Sequence, residues 1–370
     1  MNTSPNTTAL RIIVSGGGTG GHIFPAVSIA GKLLELNPGA DILFVGALGR
    51  MEMEKVPAAG FPIKGLPVSG FDRHNLLRNF QVLFHLFQSV RQARKIIREF
   101  RPNVAVGVGG YASAPVLLAA GWAGVPTLIQ EQNSYAGVAN KWLARRAKSI
   151  CVAYPGMERF FPAGKIQVTG NPVRTVLEQP LPPREEACRF FGLDPARKVL
   201  LSLGGSLGAR TINESLAAGV CRLPEDIQLL WQTGPGYYER AAALSKEHPG
   251  VQVHAFIQRM EMAFSAADMV ISRAGAGTIS ELSILGKPCI LVPSPNVAED
   301  HQTRNAEVLA KHGAALMISD ASAREQLFPK AIQCIRDEQA CLALAAAIRQ
   351  FAHPGASEII AKKVLELCVR

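Results

Sequence analysis

The apolar positions of this chain gather into short runs that alternate with longer stretches of helical period. Residues 11–14, 41–45, 104–108, 127–130 and 149–152 are such runs in the first half, and 198–203, 228–231, 251–255, 269–272 and 289–292 repeat the pattern in the second. Runs of this length predict strands covered on both faces, and helical patterns between them predict a parallel order. Two segments begin alike. Residues 11–14 lead into Ser15-Gly16-Gly17-Gly18-Thr19-Gly20-Gly21 and a helical pattern to about Leu36, and residues 198–203 lead into Gly204-Gly205-Ser206-Leu207-Gly208-Ala209 and a helical pattern from about Thr211. A buried strand, a glycine turn and a helix start are how α/β sheets build phosphate sites. Finding the unit twice, about 190 residues apart, predicts two similar doubly wound α/β domains. Their expected bounds are 1–170 and 198–350, joined by a proline-rich linker region at 171–197. An amphipathic helix from about Ala356 fills 351–370, and its pattern fits packing on either domain.

Residues 76–100 read as one helix with two apolar sectors, each about 100° wide at the helical repeat. Val82, Leu83, Leu86, Val90, Ala93, Ile97 and Phe100 form a core-facing stripe. Leu76, Leu77, Phe80, Phe84 and Phe87 form a second, which a helix buried on one side does not need, and it runs on into Arg91, Arg94, Lys95 and Arg98. Rings among acyl chains with cations at headgroups make this a candidate surface for anionic phospholipid, against packing under a loop or another helix.

Charge changes the picture because it is uneven. The formal net charge is +10, and residues 1–170 carry 18 Lys and Arg against 8 Asp and Glu, whereas 171–370 carry 21 of each. The first half is thus the one expected to meet an anion, be it phospholipid, pyrophosphate or nucleic acid, with mere solubility as the alternative. The seven cysteines are scattered without CxxC spacing, which predicts reduced thiols and no zinc ribbon. The first residues lack a basic segment followed by an apolar one, so no signal peptide is expected. The uncharged stretch 104–130 is broken by five glycines and two prolines, a poor uninterrupted span.

Four glycine-rich segments carry the candidate chemistry. In 15–22, successive small residues let N–H groups converge on an anion beside a helix N-terminus. No Lys-Ser/Thr follows, so the loop is not a P-loop. His22 stands at that helix start, either as a helix-entry histidine bonded to backbone or as a base for an acceptor hydroxyl. Gly107-Val108-Gly109-Gly110-Tyr111 is a second such loop, or tight helix–strand packing, and 204–209 is the third. Arg273-Ala274-Gly275-Ala276-Gly277-Thr278-Ile279-Ser280-Glu281 is the fourth; Glu281, one turn into a helix, is placed to accept hydrogen bonds from vicinal hydroxyls or to act as a dipole partner. No DxD motif occurs, so a departing diphosphate would be met by backbone dipoles and an arginine, with no essential metal and no cofactor expected.

In combination, Gly17-Gly18-Thr19-Gly20-Gly21-His22, Gly107-Val108-Gly109-Gly110-Tyr111, Glu131-Gln132-Asn133, Thr169-Gly170-Asn171-Pro172-Val173-Arg174, Gly204-Gly205-Ser206, Arg273-Ala274-Gly275-Ala276, Ser280-Glu281 and Asp300-His301-Gln302-Thr303-Arg304-Asn305-Ala306 resemble the MurG family, in its order and over nearly the whole chain. The resemblance implies a GT-B fold, two Rossmann-like parallel-sheet domains facing a cleft. It implies an inverting transfer of GlcNAc from UDP-GlcNAc to the MurNAc 4-hydroxyl of lipid I, giving lipid II for peptidoglycan. On matching positions it implies that Ser206 and its loop meet the diphosphate with Thr278 near. Glu281 would hold the ribose, backbone at Ile257 the uracil edge, and Arg174 and Arg273 the nucleotide side. Gln302, Asn305, Ala276 and Gly277 would read the sugar, while Thr19, Gly20, Gly21 and Asn133 would reach the donor from the other domain. Gly17, Gly18, Gly109, Gly110 and Tyr111 would hold the acceptor pyrophosphate, with His22 as base. Leu76, Phe80, Phe84, Phe87, Arg91, Arg94 and Lys95 would then rest on the cytoplasmic face of the cell membrane as a peripheral contact, with cell-wall synthesis proteins as candidate partners. Leu207 departs from the glutamine often found there, Gly277 from a bulkier residue, and the surroundings of His301 vary. An epimerase or a soluble-acceptor transferase would share the nucleotide contacts without a basic first half. Nucleic acid is excluded as partner because aromatics do not interleave with the basic residues. A dehydrogenase is disfavoured because Asp41 opens its strand where the dinucleotide fingerprint wants an acid at a strand end.

Overall fold

The computed structural model describes residues 9–68, 76–205, 207–297 and 300–368, with residues 76–83 described by backbone alone. The chain divides into two compact units, Met1–Arg174 with Gly355–Arg370, and Thr175–Pro354.

In the first unit β1 (Arg11–Ser15), α1 (Gly20–Leu36), β2 (Asp41–Ala47), α2 (Glu52–Ala58), β3 (Ile63–Leu66), α3 (Leu76–Phe100), β4 (Val104–Gly107), α4 (Ser113–Trp122), β5 (Thr127–Glu131), α5 (Val138–Leu143), β6 (Ser149–Val152) and β7 (Ile166–Val168) follow one another. The seven strands are parallel in the order β3-β2-β1-β4-β5-β6-β7. Strand order reverses between β1 and β4, where Ser15 is registered with Gly107.

The second unit runs α6 (Arg184–Phe190), β8 (Lys198–Leu203), α7 (Arg210–Gly219), β9 (Ile227–Gln232), α8 (Tyr238–Ser245), β10 (Val251–His254), α9 (Met260–Ala266), β11 (Met269–Ser272), α10 (Ala276–Leu285), β12 (Cys289–Leu291), α11 (His301–Lys311), β13 (Leu316–Met317), α12 (Asp320–Arg336) and α13 (Glu338–Arg349). Its six parallel strands are ordered β10-β9-β8-β11-β12-β13, reversing between β8 and β11, where Leu203 is registered with Ser272. The last helix, α14 (Ala356–Cys368), buries Ile360, Ala361 and Val364 in the core that α1 and β1 share, so the chain end belongs to the first unit. Each sheet is covered on both faces, which is why its central strands are unbroken apolar runs.

Several elements depart from the sequence reading. β3, β7 and β13 lack a run of their own, because each is a short edge strand with partly exposed positions. The stretch read as a linker at 171–197 contains α6, one side of which joins the core of the second unit. Pro183 stands just before α6 and starts it, Ala187, Cys188, Phe191 and Leu193 are buried against α9, and Arg184 reaches Asp268 at 2.9 Å and the Ala266 carbonyl at 2.7 Å. On α3 the core-facing stripe holds at Ala93 and Ile97, joined by Ser89 and Ile96, but Leu86 is exposed because the helix runs past the core that covers its later turns.

Candidate functional site

Loops leaving β1 and β4 emerge side by side at the carboxyl ends of the central strands, the place where open α/β sheets bind ligands. Gly17 is held from two sides. A Cβ on Gly110, at φ +85°, would lie 2.2 Å from the Gly17 carbonyl oxygen, and a Cβ on Gly17 would lie 2.1 Å from Glu52 Oε1. Glu52 is fully buried at the start of α2, accepting the Gly18 N–H at 2.9 Å and the Ala47 N–H at 2.9 Å. Gly18, at φ +86°, then turns the chain into α1.

The first turn of α1 contains Gly20, Gly21 and His22 and no acidic residue, and Thr19 precedes it without a side-chain cap. His22 is partly exposed. Its Nδ1 lies 3.2 Å from Thr19 Oγ1, and its ring edge lies over Gly109, where a Cβ would come within 2.8 Å of Nε2. The Thr19 contact orients the ring, and Gly109 is glycine both for that approach and for its φ of +94°. Tyr111 is exposed beside the same loop.

The Glu131-Gln132-Asn133 segment braces the second of these loops. Glu131 is buried, and its carboxylate accepts the Asn133 N–H at 3.1 Å, Asn133 Nδ2 at 3.3 Å, the Gly137 N–H at 3.0 Å and Asn140 Nδ2 at 2.9 Å. Gln132 Nε2 donates to the Val108 carbonyl at 3.0 Å. Asn171 Nδ2 donates to the Gln132 carbonyl at 3.0 Å, and Gln130 Nε2 to Asn171 Oδ1 at 2.9 Å, which places the Thr169–Arg174 motif under the loop. Arg174 lies over the Phe24 ring of α1, 5.1 Å from its centroid.

In the second unit the loops after β8 and β11 occupy the equivalent place. Here two turns interlock by backbone alone: a Cβ on Gly208, at φ +86°, would lie 2.1 Å from the Thr233 carbonyl oxygen, and one on Gly234 2.4 Å from the Gly208 nitrogen. Gln232 ends β9 and bridges the site, donating to the Gly205 carbonyl at 3.1 Å and accepting the Ile257 N–H at 2.9 Å. The Ile257 amide is therefore already engaged. Asn213 of α7 accepts the Trp231 indole at 2.9 Å and donates to the Thr233 carbonyl at 2.8 Å. Ser206 lies outside the described residues, and Leu207 beside it is 83 % exposed.

Gly275 precedes α10, whose first turn, with Ala276, Gly277 and Thr278, again contains no acidic residue. A Cβ on Gly277 would meet nothing, so its glycine is not required by packing. Glu281 is 8 % exposed one turn on. Arg273 uses its guanidinium within the protein, bonding the Val292 and Pro293 carbonyls at 3.1 Å and Asp320, which also accepts from Thr211 at 3.0 Å. It braces the loop rather than reaching out of it. On α11, Gln302 accepts the Ser294 N–H at 2.9 Å, while Asn305 is fully buried with Nδ2 3.4 Å from the Ala274 carbonyl.

Phe84 and Phe87 of α3 are 60 % and 68 % exposed, and Arg91, Arg94 and Lys95 are exposed beyond them. Arg94 lies over the exposed Trp122 ring at 4.3 Å, and Lys95 pairs with Glu99 at 3.9 Å. The side chains of Leu76, Phe80, Val82 and Leu83 lie outside the described residues. No described helix is long and apolar enough to cross a membrane.

Sequence reasoning missed Glu52 and Gln232, which hold loop backbone in place, and Asp320, which holds the Arg273 side chain. Only Gln232 left a signal, a polar residue ending an apolar run level with a glycine turn.

The N-terminal domain model of glycosyltransferase family 28 matches residues 12–152, and the C-terminal domain model of that family matches residues 199–360. The UDP-N-acetylglucosamine--N-acetylmuramyl-(pentapeptide) pyrophosphoryl-undecaprenol N-acetylglucosamine transferase of Bacteroides fragilis is 58% identical over 364 residues, 97% of this chain and 96% of that one. The chain belongs to the MurG family of glycosyltransferase family 28. The transferase of the same name from Porphyromonas gingivalis is 52% identical, covering 99% of this chain and 98% of its own. A crystal structure of Acinetobacter baumannii MurG matches with a TM-score of 0.77 at 28% identity, covering 97% of this chain and 100% of that one. The architecture is accordingly GT-B, two Rossmann-like parallel-sheet domains. Both pairs of MurG-family loops fall inside the matched spans, whereas the Thr169–Arg174 motif falls between them.

Proposed function

We propose that this MurG-family chain transfers N-acetylglucosamine from UDP-GlcNAc to the MurNAc 4-hydroxyl of lipid I, undecaprenyl-pyrophosphoryl-MurNAc-pentapeptide, and so makes lipid II. The observation that carries this reading is the 58% identity over 97% of the chain to a transferase of that name, with both loop pairs inside the aligned family domains.

The second unit takes the donor. N–H groups at the start of α10 and in the loop after β8 meet the diphosphate, Glu281 accepts from the ribose hydroxyls, and the Ile257 carbonyl faces the uracil edge. Gln302 and backbone at Ala276 and Gly277 read the sugar, while Asn305 and Arg273 set the loop that presents them. The loops at Gly17–Gly18 and Gly109–Tyr111 in the first unit take the acceptor pyrophosphate. His22 has Nδ1 3.2 Å from Thr19 Oγ1; in the tautomer protonated there it presents the Nε2 lone pair to the acceptor hydroxyl. As Nε2 takes the proton, the hydroxyl oxygen bonds to the anomeric carbon, the bond to the diphosphate breaks, and UDP leaves with inversion. Backbone dipoles stabilise the charge on the leaving diphosphate, with no metal required. The chain works as a peripheral protein at the cytoplasmic face of the membrane, with α3 on anionic phospholipid, a reading supported by the exposed Phe84 and Phe87.

The test is transfer of labelled GlcNAc from UDP-GlcNAc to a lipid I analogue, with water and a soluble sugar as control acceptors and EDTA in a parallel arm. Transfer to lipid I alone, unchanged by EDTA, is expected. Preference for the soluble sugar, or a loss in EDTA that Mg²⁺ restores, contradicts the acceptor or the metal-free account respectively.

A further inference from the structure

Glu52 belongs to no glycine motif, yet it is the buried charge closest to the first loop. Its Oε2 takes the Gly18 N–H and its Oε1 the Ala47 N–H, both at 2.9 Å. Across a trans peptide the N–H and the preceding carbonyl point in opposite directions. With the Gly18 N–H turned to Glu52, the Gly17 carbonyl must point away from it, and it lies against Gly110, where an added Cβ would come within 2.2 Å. The Gly17–Gly18 peptide is thereby fixed at both ends, by a carboxylate from α2 and by the glycine loop after β4. Two glycines are shaped to the carboxylate itself, since a Cβ on Gly17 would lie 2.1 Å from Oε1 and one on Gly46 2.6 Å from Cγ. The residue after the fixed peptide is Gly18, whose φ of +86° aims the first turn of α1 and with it His22.

We infer that Glu52 is a positioning residue for acceptor binding: it holds the Gly17–Gly18 peptide in the one orientation that lets both first-unit loops present N–H groups to the acceptor pyrophosphate. The inference rests on the proposed acceptor site. A carboxylate suits the task and an amide does not. Two N–H donors arrive on two different oxygens, so a glutamine would satisfy one and set its own NH₂ against the other. Its negative charge near an anion site also opposes the ligand, so a role in binding pyrophosphate directly is excluded by sign.

The experiment is steady-state kinetics of the full chain on a lipid I analogue, for the parent, Glu52→Gln, Glu52→Ala, Gly17→Ala and Glu52→Ala with Gly17→Ala. Glu52→Gln should raise the acceptor KM about tenfold or more, the size of one lost charged hydrogen bond, and leave the KM for UDP-GlcNAc unchanged. Gly17→Ala, which displaces the carboxylate, should do the same. The double variant should be no worse than Glu52→Ala, because both substitutions act on one peptide. If Glu52→Gln does not fold, Gly17→Ala carries the same KM test. Unchanged acceptor KM in a folded variant, donor and acceptor KM rising in parallel, or additive effects in the double variant each overturn the role of Glu52. A parent that transfers nothing to lipid I removes the acceptor site itself, a distinguishable failure.

Discussion

The two units solve one geometric problem with different chemistry. Each brings two glycine loops together where strand order reverses, and each must hold loop backbone that no sheet ladder supports. The first unit does so with buried carboxylates, Glu52 and Glu131, which accept backbone N–H groups. The second uses neutral amides, Gln232 and Asn213, and closes its β11 loop with the Arg273–Asp320 pair. The charge balance runs the opposite way. Counted by structural unit, the first carries 22 Lys and Arg against 10 Asp and Glu and the second 17 against 19, so the asymmetry seen along the sequence is sharper by unit, through Arg174 and Arg370. A carboxylate beneath an anion site raises the local negative potential, and the cationic excess of the same unit offsets it. The second unit, with neutral supports, needs no such excess.

The largest expected effect lies with the group that has no counterpart in the second unit. His22→Ala should lower kcat by roughly 10²–10⁴, the range for a lost general base, with little change in the KM for UDP-GlcNAc. A near-normal kcat at saturating acceptor removes His22 from the chemistry.

Glycine substitutions should break the comparison in a crossed pattern. Gly110→Ala and Gly208→Ala each drive a Cβ to within 2.2 Å of a backbone oxygen at positive φ, and overpacking of this kind costs about 1–3 kcal/mol. Acceptor KM should rise in the first and donor KM in the second, while Gly164→Ala, with nothing near its Cβ and outside both loop pairs, serves as the silent control. Kinetics showing both KM values moved by either variant would mean that the loops do not divide the substrates.

Glu281→Ala should weaken UDP binding by about 1–3 kcal/mol in calorimetry, as for a lost hydrogen bond to a charged group. Unchanged affinity with the fold intact takes the ribose away from Glu281. The smallest effect is on the membrane side: Phe84→Ser with Phe87→Ser should reduce binding to anionic vesicles and spare UDP binding. Parent-like vesicle binding means that these rings do not dock.

How much of this was legible in the chain depended on whether a residue's role repeats locally. Central strands were readable because burial on both faces writes an unbroken apolar run, and the glycine loops because positive φ and close approach demand glycine. β13, two residues at a sheet edge, leaves no such record. α6 was hidden because Pro183, which starts it, reads equally well as linker. Glu52 and Glu54 look alike in sequence, yet the first is fully buried under the loop and the second has an 80% exposed side chain; only tertiary packing separates them. Arg273 and Asp320, 47 positions apart, are likewise paired by the fold alone.

Backbone hydrogen exchange with each ligand in turn tests the division of substrates most directly. UDP should slow exchange at residues 204–209 and 275–281 and leave 16–22 and 107–111 at the rates of the free protein. A soluble lipid I analogue carrying the pyrophosphate should do the reverse. Protection of the first-unit loops by UDP, or of the second-unit loops by the acceptor analogue, would contradict the assignment of donor and acceptor to separate units.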